Sequence, residues 1–161
     1  SSTSGYWSLW HLEVKNQFET SQIIQPIFIS SEGENFSAFA QSVWDKLIQE
    51  NDYFFCIGVM SPDESKSTYA NISAKAEELM QQKYEESESS ILLNTEKIKA
   101  NKDKSFEFQE KQMQRIGIEN IKQSRLNRLH KDKEQWVETF ESARQIVPSL
   151  SCLLMVNIVN E

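Results

Sequence analysis

Apolar and polar positions alternate in three registers along this chain. Residues 6–14 (YWSLWHLEV) place Tyr6, Ser8, Trp10, Leu12 and Val14 on one side and Trp7, Leu9, His11 and Glu13 on the other. That is strand periodicity with aromatic enrichment. Residues 15–21 are polar and read as a loop. A second strand follows over 23–30. Its Pro26 cannot donate to a ladder and predicts an edge or a bulge. Residues 30–34 contain Gly33 and make a turn. Phe36, Phe39, Val43, Leu47 and Ile48 then recur at helical spacing, which predicts an amphipathic helix over 35–50 with Asn35 as its cap. Residues 53–60 (YFFCIGVM) are too short and too apolar for a surface helix and predict a buried strand.

From Pro62 to Pro148 the register changes. The 85 intervening residues hold no proline and one glycine, Gly117. Ser61-Pro62-Asp63 opens this stretch as a helix start. A first helix is expected over 64–100, with Tyr69, Ile72, Ala76, Leu79, Met80, Tyr84 and Ile91 as its stripe and a weak patch at 85–90. The most polar short patch, 101–105 (NKDKS), is the expected hairpin turn. A second helix is expected over 107–146, with Ile118, Leu126, Leu129, Trp136, Phe140, Ala143 and Val147 along one face. Pro148 ends it, and 149–159 returns as a strand. Gly117 reads as a tolerated defect or close packing, or else as a kink or joint. The predicted class is α+β. A small, mainly antiparallel sheet (6–14, 23–30, 53–60, 149–159) carries one packed helix. A helical hairpin over 64–146 forms an antiparallel coiled coil. Helices of that length span about 55–60 Å at 1.5 Å per residue. A body of this size is about 30 Å across, so the hairpin is expected to protrude.

Length and composition suit one domain over 6–161, of 161 residues in all. The opening Ser-Ser-Thr-Ser-Gly reads as a tag remnant, a disordered start or a cut within a larger protein. No apolar run reaches the ~18 residues of a membrane span, so no membrane partner is expected. Cys56 and Cys152 lie inside apolar strand-like runs. They read as a reduced, cytosolic pair of core thiols, with a disulfide as the alternative.

Charge is unevenly placed. The chain carries −7, yet residues 96–133 hold eleven Lys and Arg against six acids, a local +5 that leaves −12 elsewhere. A basic segment on an acidic molecule is the footprint of a phosphate-facing surface. The expected nucleic-acid contacts are Lys97, Lys99, Lys102 and Lys104 at the hairpin tip, then Arg125, Arg128 and Lys131. Neutralisation within the hairpin is the competing reading. A turn near Lys102 would set Glu85–Glu88 opposite 116–119, and Glu77 and Glu78 opposite 126–127. A helical wheel then aims Lys111, Arg115 and Lys122 at the first helix.

Motifs of catalysis are missing from the sequence. It has no glycine-rich phosphate loop, GxGxxG, HExxH, CxxC or GxSxG. His11 and His130 have no ligand spacing to a cysteine or to each other, so no zinc or other metal site is expected. No catalytic residue and no cofactor is assigned. Trp7, Trp10, Trp44 and Trp136 could stack on bases, but tryptophans in amphipathic elements are read first as core.

One longer pattern has a counterpart. The Ile116-Gly117-Ile118 step is followed by the repeat Arg125-Leu126…Arg128-Leu129, by Trp136, by Val147-Pro148-Ser149-Leu150 and by an apolar closing strand. Upstream, Gln25–Phe28 precedes Gly33 and a helix with Trp44-Asp45. This arrangement resembles the extreme C-terminal region of large bacterial Swi/Snf-type helicases. These are superfamily-two ATPases with phage-defence and RNA-polymerase-recycling relatives. The resemblance implies a non-enzymatic accessory module of a cytoplasmic motor. It would dock on the motor lobes in cis and reach nucleic acid or a partner protein through its hairpin. The ATP-binding motifs of such motors are not in this sequence, so the segment alone is not expected to hydrolyse ATP.

Overall fold

A computed structural model describes residues 4–49 and 60–159. The chain is α+β, with a three-stranded antiparallel sheet and three helices among the described residues. In chain order these are β1 (Gly5–Lys15), β2 (Thr20–Ser30), α1 (Ser37–Gln49), α2 (Pro62–Gln114), α3 (Glu119–Ala143) and β3 (Val147–Ile158). The strand order is β2-β1-β3. The strand expected over 53–60 lies outside the described residues except for Met60. The molecule divides into two compact units, one from 1–13, 22–85 and 148–161, the other from 14–21 and 86–147.

In the first unit, β1 is central and covered on both faces. Seven of its eleven residues are buried, so the simple in–out alternation of its sequence is masked. Trp7 and Leu9 pack with Phe28 and with Ala40 and Val43 of α1. The Trp7 indole donates to the Ala40 carbonyl at 3.0 Å and stacks on Trp44. On the other face Trp10 meets Tyr69 of α2, with ring centroids 6.1 Å apart, and Ile72, Ala76 and Met80 of α2 are buried. The buried Trp10 N–H is satisfied by the Ser8 hydroxyl at 2.7 Å. Pro26 lies on β2, an edge of the sheet among the described residues, where a missing N–H is tolerated.

Local chemistry sets several boundaries. Gly33 has φ of 84°, the left-handed region that glycine enters without strain, and closes the turn between Ser30 and Glu34. Asn35 is not the cap of α1. Its backbone bridges Ile29, and the first α1 bond runs from Ala40 N–H to the Phe36 carbonyl. Ser61 caps α2, its hydroxyl accepting from Glu64 N–H at 3.2 Å, with Pro62 at the first helical position.

In the second unit, the hairpin turn is displaced from its expected place. Residues 101–105 lie inside α2, which runs unbroken to Gln114. The chain reverses at 115–118, around Gly117. The NKDKS patch is polar but contains no breaker, and its residues each cost only a few tenths of a kcal/mol relative to alanine in a helix. Glycine costs about 1 kcal/mol. Arg115 and Ile116 close the end of α2 with bonds to Gln112 and Met113, three residues back. The two helices are therefore 53 and 25 residues long, rather than the nearly equal pair expected. Gly117 is a turn residue, neither a helix defect nor a kink.

Pro148 does not end the second helix either. It sits in β3, and α3 stops at Ala143. There the Ala143 carbonyl accepts from Gln17 N–H at 3.0 Å, and the Arg144 carbonyl is 3.5 Å from the Asn16 amide. Those partners satisfy carbonyls that a helix end leaves open.

Candidate nucleic-acid interface

The seam between α2 and α3 fixes which side chains face outward. Its α2 side holds the buried Phe106, and its α3 side the buried Leu126, Leu129, Phe140 and Ala143; farther back on α2, Ser87 and Thr95 are buried with the Ser21 hydroxyl and the Asn16 amide as partners. Trp136 spans it, stacking on Phe140 at 4.9 Å and meeting the Phe106 ring edge-on at 6.3 Å. Nearer the turn, Glu110 and His130 approach to 3.7 Å. These pairings confirm an antiparallel register, since the α2 number rises as the α3 number falls. Every tryptophan is buried or half-buried among apolar neighbours, so none is offered to a base.

This register differs from the one expected from a turn near Lys102: within the second unit Phe106 meets Trp136 and Glu110 approaches His130. Glu77, Glu78 and Glu85 belong to the other unit. Within the basic segment, the described ion pairs are Lys111–Glu107 at 3.3 Å, one helical turn apart, and His130–Glu110. Lys97, Lys104, Arg125, Arg128 and Lys131 are exposed, and no ion pair to them is found among the described residues.

The seven predicted contacts do not form a single patch. Lys99 and Lys102 are half-buried beside the seam, and the Lys102 ammonium lies 5.1 Å from the Phe106 ring centroid. The four α2 lysines are not at the tip, which is 115–118. At about 100° per residue, Lys97 and Lys104 fall on the α2 face opposite its seam residues. Arg125, Arg128 and Lys131 step around α3 by about 60° each, from the seam's flank to the back of that helix. The outer faces of two packed helices look away from each other. Lys97 and Lys104 therefore belong to one surface and Lys131 to another.

Two members of the α2 face escaped the sequence reading. Phe108 was not singled out, and Lys111 was aimed at the partner helix. Phe108 is 62% exposed, and the Lys111 side chain is 71% exposed. With the turn moved to Gly117, both join the stripe Leu93, Lys97, Ala100, Lys104, Phe108 and Lys111. The three- and four-residue spacing of that stripe was the available signal. Arg115 falls in the turn and is exposed; Lys122 is half-buried near the seam, as the wheel indicated.

Elsewhere the described residues offer little chemistry. A cleft of about 530 Å³ beside the start of β1 is lined by Tyr6, Ser31, Thr68, Asn71 and Lys75 among others. Burial pushes the Cys152 thiol up, partly offset by a backbone hydrogen bond from Leu154. Cys152 is a free thiol, and Cys56 lies outside the described residues. Among the described residues no three His, Cys, Asp or Glu side chains gather as metal ligands, and no helix is long and apolar enough to cross a membrane. Comparison with known proteins found no match to a family model, to a curated protein or to a solved structure.

Proposed function

We propose that this chain is a non-catalytic accessory domain whose helical hairpin contacts the phosphate backbone of nucleic acid, within a larger bacterial helicase-type ATPase. One observation carries the contact. A segment of net +5 presents seven exposed cations, among them Lys97, Lys104, Arg125, Arg128 and Lys131, without ion-pair partners among the described residues. Cations left unpaired on an acidic protein keep their full charge for an external polyanion. The resemblance of residues 115–159 to the C-terminal region of Swi/Snf-type helicases supports the motor context. In that setting the domain docks on the motor lobes in cis, needs no cofactor of its own, and works in the cytoplasm.

A second reading, docking of a protein partner on the hairpin, is favoured by the turn. Ile118 is 61% and Ile121 42% exposed there. The two are separated by anisotropy titration of labelled duplex and single-stranded DNA at ~50 mM salt. Wild type is compared with a variant carrying Lys97, Lys104, Arg128 and Lys131 each changed to Glu. Salt-sensitive binding that the variant loses supports the phosphate contact; equal binding by both, or none by wild type, removes it. The motor context is checked in the full-length coding sequence. Helicase motifs upstream support it, and their absence removes it.

A further inference from the structure

We infer that the outer stripe of α2, from Leu93 to Lys111, is a single-strand-specific site in which Phe108 is the platform for an unpaired base and Lys97, Lys104 and Lys111 hold the flanking phosphates. The inference rests on the phosphate-contact reading above and narrows it to one strand and one face. Phe108 is 62% exposed on a helix whose other large aromatic of that region, Phe106, is buried in the seam. An exposed phenylalanine is flanked on its own face by Lys104 one turn before and Lys111 one turn after. Lys97, Lys104 and Lys111 recur every seven residues, about 10.5 Å apart along the axis. The acids of this stretch, Glu96, Asp103, Glu107 and Glu110, project to one side of the stripe. Among the described residues Glu107 is paired with Lys111, in an exposed pair that a phosphate can displace.

The pattern fits a single strand better than its competitors. In a duplex the base faces are stacked on each other, and an aromatic side chain has nothing to cover. A single strand offers free π-faces spaced along a phosphate chain, which is what alternating cations and an aromatic recognise. A protein partner would require a contiguous apolar centre. Here Leu93 and Phe108 are fifteen residues apart, about 22 Å, with two lysines between them, and lysine is depleted from protein interfaces.

The test is anisotropy of a fluorescein-labelled 20-nucleotide dT strand, of a labelled hairpin duplex and of a labelled polyglutamate peptide, at ~50 mM salt. Wild type, Phe108→Ala and the Lys97→Gln/Lys104→Gln variant are compared, with circular dichroism to show that the helices persist. Phe108→Ala should weaken dT binding by about five- to a hundredfold, leave duplex binding within about twofold and leave the salt slope unchanged. The lysine variant should lower the slope for dT by about 0.7 per lysine. If Phe108→Ala changes nothing while the lysine variant weakens dT and duplex alike, the single-strand inference falls and the phosphate contact stands. If neither nucleic acid binds wild type, both fall. Polyglutamate binding as tightly as dT assigns the stripe to an acidic protein instead, and also overturns the inference.

Discussion

Asn16 joins the β1–β2 turn to both helices of the hairpin, and its removal has a calculable cost. It is buried. Its amide donates to the Thr95 hydroxyl at 2.9 Å and lies 3.5 Å from the Arg144 carbonyl. Its Oδ1 accepts from Phe18 N–H at 2.9 Å and Glu19 N–H at 3.0 Å. The Thr95 hydroxyl in turn donates to the Ile91 carbonyl at 2.7 Å. Three of these Asn16 bonds are short enough to count fully, each worth about 0.5–1.5 kcal/mol net. Water can reach part of what Asn16→Ala leaves behind, because Phe18 is exposed and Glu19 half-buried. The expected loss is about 2–3 kcal/mol, or about 5–10 °C in melting temperature for a chain of this size. Thr95→Val keeps the shape, removes the acceptor and should cost about 1–2 kcal/mol. The assay is urea and thermal unfolding followed by circular dichroism and tryptophan fluorescence, for both single variants and the double. The double-mutant cycle should show a coupling of about 1 kcal/mol. A loss below ~0.5 kcal/mol for Asn16→Ala, or a coupling near zero, refutes this account of what holds the turn to the hairpin.

Glycine substitutions should separate sharply by site. A Cβ at Gly5 would land on the Ile29 carbonyl oxygen, so Gly5→Ala should lower the melting temperature markedly, while Gly117→Ala, whose Cβ meets nothing within 4 Å, should change stability by less than about 0.5 kcal/mol. Ser61→Ala should cost about 1 kcal/mol by leaving Glu64 N–H without its cap, and Ser61→Gly only a few tenths, measured in the same melts. Because burial raises the Cys152 thiol, its alkylation by iodoacetamide should need higher pH in the native protein than in urea, and equal pH profiles would contradict the burial. The sign for stability follows: the fold favours the neutral thiol, so stability falls as pH rises past the unfolded thiol's value.

The division between sequence and tertiary structure is clearest at the hairpin. Among the described residues, periodicity alone determined which segments are strands and which are helices, and it named most of the α3 side of the seam. Leu126, Leu129, Phe140 and Ala143 are buried where a period of 3.6 places them. The pattern at 23–30 predicted an edge or a bulge at Pro26, and β2 is an edge among the described strands. Helix ends were less legible, because polarity was mistaken for a turn signal. The patch at 101–105 is polar since that part of α2 has one solvated face, and the chain reverses at a glycine instead. That fourteen-residue shift rearranges every charge partner, which is why Lys111 moved from the seam to the outer face and Lys97–Lys104 moved off the tip. Asn16 shows the same limit from the other side. Within one short polar loop, nothing distinguishes it from Gln17 or Glu19. Its burial depends on Thr95 and Arg144, which lie 79 and 128 residues away. Local sequence determines what a segment prefers to be. Which carbonyls, cations and amides face each other is decided only when distant segments meet, since hydrogen bonds and ion pairs depend on ångström-scale register that no local preference encodes.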